Sequence, residues 1–213
     1  WVSHQIPFND PRVVVALDRV GDILKNDAYV NGGLGGAKSI ATTSFTTAGL
    51  PILEGSCFLH RQASFYQVNW PTDKKIAEDG DVFAFRLPGT TETDPPLLVG
   101  GEFAAAFSDR EEVRAFQAYL TSPEFSNTKA KVTGPGWISA NNKLDPSNLS
   151  SPVDRLSYEL ITSDSSVLRF DASDQMPGSV GTGSFWVGMT DWVSLEKSSQ
   201  DVLTEIENSW PKS

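Results

Sequence analysis

Cysteine is nearly absent from this 213-residue chain: Cys57 stands alone, so no disulfide forms within it and a disulfide-stapled scaffold is excluded. Histidine is almost as scarce. His4 and His60 are the only two, they lie far apart in sequence, and no Cys/His spacing of a zinc site exists. No apolar run approaches the roughly 18 residues that a membrane-spanning helix needs. Positive charge is thin: 17 Lys and Arg face 27 Asp and Glu, the net charge is −10, and the cations are scattered rather than clustered. Nucleic-acid binding needs dense Lys and Arg against phosphate and is therefore excluded. The chain also lacks an initiator Met and a signal peptide. It opens on Trp1-Val2-Ser3-His4, as if in the middle of a folded protein, and is expected to be a piece of a longer chain or an internally cut product.

What is present is enough for a core: 39% hydrophobic residues, six Trp, and a length that suits one large domain or two small ones. Cys57 is expected to be a small buried hydrophobe. The acidic surface suits a secreted or periplasmic protein as well as a cytosolic one.

The element pattern is mixed α/β and helix-rich. Asn9 or Asp10 caps a first helix that Pro11 opens, with Val13, Leu17, Val20 and Leu24 at helical spacing. Residues 31–39, NGGLGGAKS, form a glycine-rich loop but not a phosphate-binding one, because Ala37 stands where that motif needs Gly before Lys-Ser. A short helix is expected over 42–53 with Phe45, Leu50 and Leu53 inward. Cys57-Phe58-Leu59 reads as a buried strand ending in the polar run His60-Arg61-Gln62, where open α/β sheets present ligand contacts. A helical turn over 63–68 and a strand over 82–87 follow, stopped by Pro88-Gly89. Residues 89–96 have linker composition. Residues 97–99 read as a strand into Gly100-Gly101-Glu102, and 104–107 as another. Ser108 or Asp109 is expected to cap a helix through Ser122 with Val113, Phe116 and Leu120 as its stripe. Pro123 opens a helix to about Val132, and Gly134-Pro135-Gly136-Trp137 is a turn. Residues 141–151 form a loop whose Asn148-Leu149-Ser150 matches a commonplace glycosylation acceptor. Pro152 starts a helix with Val153, Leu156 and Leu160 inward. Residues 167–170 read as a short strand or extended segment. A last helix, capped by Ser198 or Ser199, turns Leu203, Ile206 and Trp210 inward and ends at Pro211.

Residues 169–193, RFDASDQMPGSVGTGSFWVGMTDWV, concentrate chemistry. Asp171 and Asp174 are short acceptors, and Gly181 to Ser184 make a small polar helix entry with free backbone N–H groups expected near Gly183 and Ser184. Phe185, Met189 and Trp192 fall on one helical stripe and read as core, while Trp186, about 100° around the helix, flanks that stripe. An aromatic beside carboxylates and hydroxyls is a means of holding a polar, flat-faced ligand such as a sugar; Trp186 can equally fill a gap between helices. Catalytic patterns fail. Ser194-Leu195-Glu196-Lys197 matches Ser-x-x-Lys without its companion motifs, and neither His sits in a nucleophile elbow. Acidic pairs such as Asp171 with Asp174 and Glu111 with Glu112 arise by chance among 27 acids, and sequence does not show two carboxylates facing across a cleft. A glycoside-processing enzyme domain and a structural or adhesion domain remain alternatives.

Six stretches taken together carry a resemblance: Trp1 to Pro11 (WVSHQIPFNDP), Cys57 to Phe65 (CFLHRQASF), Gly100 to Phe107 (GGEFAAAF), Tyr119 to Glu124 (YLTSPE), Phe170 to Pro177 (FDASDQMP) and Gly183 to Trp192 (GSFWVGMTDW). In this order they resemble the C-terminal half of the extracellular solute-binding proteins of sugar ABC transporters, family 1, and especially the actinobacterial alpha-glucoside and oligosaccharide binders. The resemblance implies an α/β, periplasmic-binding-protein-like type II bilobal fold of which this chain holds only the C-terminal half. Residues 1–96 would belong to the C-terminal lobe, 97–150 to the N-terminal lobe, and 151–213 to the C-terminal lobe again. It implies a non-catalytic carbohydrate binder with no cofactor and no metal, outside the cell, lipid-anchored or periplasmic. Its partners would be the sugar, the membrane permease and the other half of the same protein. The implied ligand residues are Trp186, Arg61, Gln62, His60 and Glu102, and the hydroxyl of Ser184 and the carboxylate of Asp174 make those two candidate ligand-binding residues as well. Phe58 stands where close relatives tend to carry Trp, so the pocket is expected to differ there.

Overall fold

The computed structural model describes residues 1–30, 34–89, 96–194 and 197–212. Parts of three readings therefore lie outside the described residues: 31–33 of the glycine-rich loop, 90–95 of the linker, and 195–196 of the Ser-x-x-Lys match. The chain gathers into two compact units, Trp1–His60 with Phe170–Ser213, and Arg61–Arg169.

The first unit is helical. Helix α1 (Pro11–Leu24) starts as expected, with the Asp10 carboxylate accepting from Arg12 N and Pro11 at the first position. The Arg12 side chain and its backbone N–H hold the Asp10 carboxyl at about 2. Val13, Val14, Leu17 and Leu24 pack on the core, whereas Val20 is left 46% exposed. Gly21, not Val20, fills that level of the stripe, because a Cβ there would lie 3.0 Å from Trp192 Cζ2. Helix α5 (Phe185–Ser194) and helix α6 (Ser199–Ser209) complete the unit. Phe8, Val180, Val202, Leu203 and Ile206 are buried against Trp192 and Met176. Trp192 Nε1 donates to Ser199 Oγ at 3.1 Å, so the deepest indole is satisfied. Trp1 and Phe8 pack against Phe185, and His4 stacks on Trp210 at 4.2 Å. The Glu207 carboxylate then accepts from Phe8 N at 2.8 Å and contacts His4 Nε2 at 2.9 Å, clasping the first residues to α6.

The second unit holds α2 (Glu111–Leu120), α3 (Pro123–Val132) and α4 (Pro152–Thr162). Strand β1 (Pro96–Val99) pairs in a two-stranded sheet with β2 (Val167–Phe170), which runs across the unit boundary. Its core is small: Ala130, Leu144 and Leu149, with Trp137, Ile138 and Tyr158 packed on it. Ser122 and Ser151 cap α3 and α4.

Five local expectations fail. Residues 42–53 form turns with a short 3₁₀ segment at Leu50–Ile52, and Phe45 is exposed. Thr43 and Thr47 hydroxyls bond to backbone carbonyls of Ser39 and Ser44, which competes with helix formation, and Pro51 removes a donor. Cys57-Phe58-Leu59 is not a buried strand: Phe58 is 91% exposed, and Cys57 is half-buried with its thiol donating to Leu59 O. In residues 82–87 only Val82 pairs, in a single bridge with Ile76, and 104–107 is exposed throughout with Phe107 at 98%. Apolar, β-prone residues do not make a strand without a neighbouring strand to bond. Helix α2 starts at Glu111 without a side-chain cap, since Asp109 is engaged by the Arg114 guanidinium, and Phe116 is exposed rather than inward.

Candidate functional site

In the first unit the candidate residues sit on a run of consecutive short elements. Asp174 lies in the 3₁₀ turn Ser173–Gln175 and is exposed. Asp171 is occupied locally, accepting from Ser173 N and Ser173 Oγ. Next comes a wide π turn, Ser179–Ser184, that runs straight into α5. Its close contact is at Gly181, where a Cβ would stand 2.0 Å from Ser173 O, so only glycine lets the turn and the 3₁₀ segment meet. The expected free N–H groups of Gly183 and Ser184 are not at a helix start. Helical winding begins at Ser179, and both residues lie inside the π turn.

Ser184 keeps acceptor capacity instead. Its Oγ lies 2.6 Å from Ser209 Oγ, and Ser209 spends its own proton on Ile206 O. Ser184 is therefore the donor of the pair, and its oxygen keeps acceptor capacity. Trp186, the second residue of α5, is 67% exposed, while its helix neighbour Phe185 packs on Trp1 and Phe8. Met189 is half-buried and Trp192 only 3% exposed, as the helical stripe predicts. Trp186 thus offers an exposed ring on the first turn of α5.

The other candidates are placed differently. Arg61, Gln62 and Glu102 belong to the second unit and are exposed. Gln62 folds back so that its Oε1 accepts from Ala63 N at 2.9 Å. His60 ends the first segment of the first unit; burial pushes its imidazole below the usual 6.5. Two shallow surface depressions among the described residues include no candidate. One lies on the outer face of α1 at Pro11, Arg12 and Val15, the other at Phe107, Arg114 and Gln117. Among the described residues no three His, Cys, Asp or Glu side chains group as metal ligands, and no helix is long and apolar enough to cross a membrane.

Sequence reading missed a buried polar junction in the second unit. The Asp154 side chain, 2% exposed, accepts from Gln67 Nε2 at 2.7 Å and from Gly136 N at 2.9 Å. Gln67 in turn accepts from the Ser151 hydroxyl, which also caps α4. The available signal was Ser151-Pro152-Val153-Asp154, a cap residue with an acid three places on.

No protein-family model and no solved structure matches the chain. Two curated proteins do, end to end. The chain is 40% identical over 215 residues to the osmoprotective compounds-binding protein GgtB of Synechocystis sp., covering 100% of this chain and 49% of that protein. It is 33% identical over 219 residues to the alpha-glucosides-binding periplasmic protein AglE of Rhizobium meliloti, covering 99% of this chain and 45% of that one. The chain is a homologue of such solute-binding proteins along its whole length. It spans about half the length of the curated relatives it matches.

Proposed function

We propose that this chain is part of an extracytoplasmic carbohydrate-binding protein that delivers an α-glucoside or related oligosaccharide to an ABC-type permease and catalyses nothing. The observation that carries the reading is the whole-chain relation to two binding proteins, one named for alpha-glucosides and periplasmic, the other for osmoprotective compounds. The exposed indole of Trp186 supports it, because a flat apolar ring suits the apolar face of a sugar ring.

In this reading the fold is the type II bilobal one. Residues 1–96 and 151–213 belong to one lobe, 97–150 return to the other, and the rest of the site comes from the remaining half of the protein. Trp186, His60, Arg61, Gln62 and Glu102 contact the ligand, with Ser184 and Asp174 as polar neighbours. Specificity comes from hydroxyl hydrogen bonds that a wrong epimer leaves unpaired, and affinity from stacking and lobe closure. The protein works in the periplasm or at the cell surface, with or without a lipid anchor.

Calorimetry of the full-length protein with maltose and longer α-glucosides is expected to show saturable heat at one site, with a change in Trp emission. Silence across the panel in both signals overturns the reading. Release of reducing ends from the same sugars would replace it with the glycoside-processing alternative, which the binding-protein relatives do not favour.

A further inference from the structure

The buried junction at Asp154 lies just behind the segment that begins at Arg61. The 3₁₀ turn Ser64–Asn69 follows Arg61 and Gln62 directly, and Gln67 within it is buried. Gln67 Nε2 donates to Ser64 O at 2.9 Å and to Asp154 Oδ1 at 2.7 Å, and its carbonyl takes the Ser151 proton. Asp154 also holds Gly136 N, whose residue has φ 97° and packs so closely that a Cβ would stand 3.2 Å from Phe65 Cα. Three chain segments, 64–69, 134–137 and the start of α4, are thus pinned by one carboxylate and one amide. Every polar atom is satisfied in a single arrangement: the carboxylate only accepts, the amide donates to it, and the serine donates to the amide. Capping α4 does not require this, since Ser151 alone receives the Val153 and Asp154 N–H groups. Burying a carboxylate is costly, and a site that needs its contacting side chains held within a fraction of an ångström gains from such a support.

We infer that Asp154, acting through Gln67, is a positioning residue for the ligand-contacting segment at Arg61 and Gln62. This rests on the carbohydrate reading above. The test reverses the pair. Gln67→Glu puts two carboxylates against each other and is expected to loosen residues 61–69, raising their amide exchange, and to weaken maltose binding by the full-length protein about tenfold. Adding Asp154→Asn removes that repulsion and lets an amide donate to the introduced carboxylate, but leaves Ser64 O without the donor that Gln67 supplied. The double variant is expected to recover part of both exchange protection and affinity, each intermediate between Gln67→Glu and the natural protein. Unchanged exchange at 61–69 in Gln67→Glu overturns the inference. So does an affinity loss that persists in the double variant after protection has returned. If the natural protein binds no α-glucoside at all, the carbohydrate reading fails, and exchange at 61–69 alone decides whether Asp154 fixes that segment.

Discussion

Trp186 and Trp192 share helix α5 and meet opposite environments. Trp192 is enclosed by α1 and α6 with its N–H bonded to Ser199, whereas Trp186 faces outward and gives the fold little. Trp186→Ala is therefore expected to cost about 2 kcal/mol or more in sugar affinity. Its cost to unfolding stability should stay within about 0.5 kcal/mol. Calorimetry and urea melts on the same variant separate the two. Two carboxylates give the units opposite acid responses. Burial raises Asp154 above its usual 3.8, so its contribution to stability is present in acid and is lost as pH rises through its folded value. For Glu207, burial pushes upward, but the Phe8 N–H and the His4 ring outweigh it and hold the group below its usual 4.5. Its contribution is present above 4.5 and is lost as pH falls through its lower folded value. Below that ordinary carboxylate range, amide exchange is expected to rise at Phe8 before it rises at Gly136; the reverse order would contradict the assignment.

Among the elements, three α-helix starts were legible where a cap and a proline coincide, whereas Asp145-Pro146, read as loop, starts a 3₁₀ turn. Asp10-Pro11, Ser122-Pro123 and Ser151-Pro152 each set a start within the chain's own chemistry, and Ser198 did so without proline. Strands were legible only where a partner exists, at 96–99 and 167–170. The apolar runs at 57–59, 82–87 and 104–107 looked the same in composition, because pairing is a property of distant segments and leaves no local mark. The site shows the same divide. Periodicity separates Trp186 from Phe185, Met189 and Trp192, yet nothing local shows that winding starts at Ser179, or that Gln67 and Asp154 meet 87 positions apart. The contact of α5 with α6 is close-packed at Gly188, where a Cβ would stand 3.0 Å from both Ile206 Cδ1 and Val202 Cγ2. Gly188→Ala is expected to destabilise the first unit by about 1–3 kcal/mol through overpacking. Ser198→Ala, which removes the acceptor for Asp201 N, should cost about 1 kcal/mol. Thermal melts of the two variants, with helicity followed by circular dichroism, check both values.

The molecule as a whole is two units with interleaved chain: the first is made from both ends of the sequence and the second from its middle. Phe8 is fully buried in a core with Val180, Val202, Leu203 and Ile206, with Trp1, Phe185 and Trp210 packed on its ring. Removing residues 197–213 is therefore expected to unfold the first unit, with exchange protection lost along α1, while α3 and α4 keep theirs. Protection surviving in α1 would show that its core closes without α6. The same arrangement sets an order of events at birth. During synthesis or export, residues 61–169 are complete before residues 170–213 have emerged. Phe8 and the apolar face of α1 therefore lack the cover of α5 and α6 until the last helix has emerged.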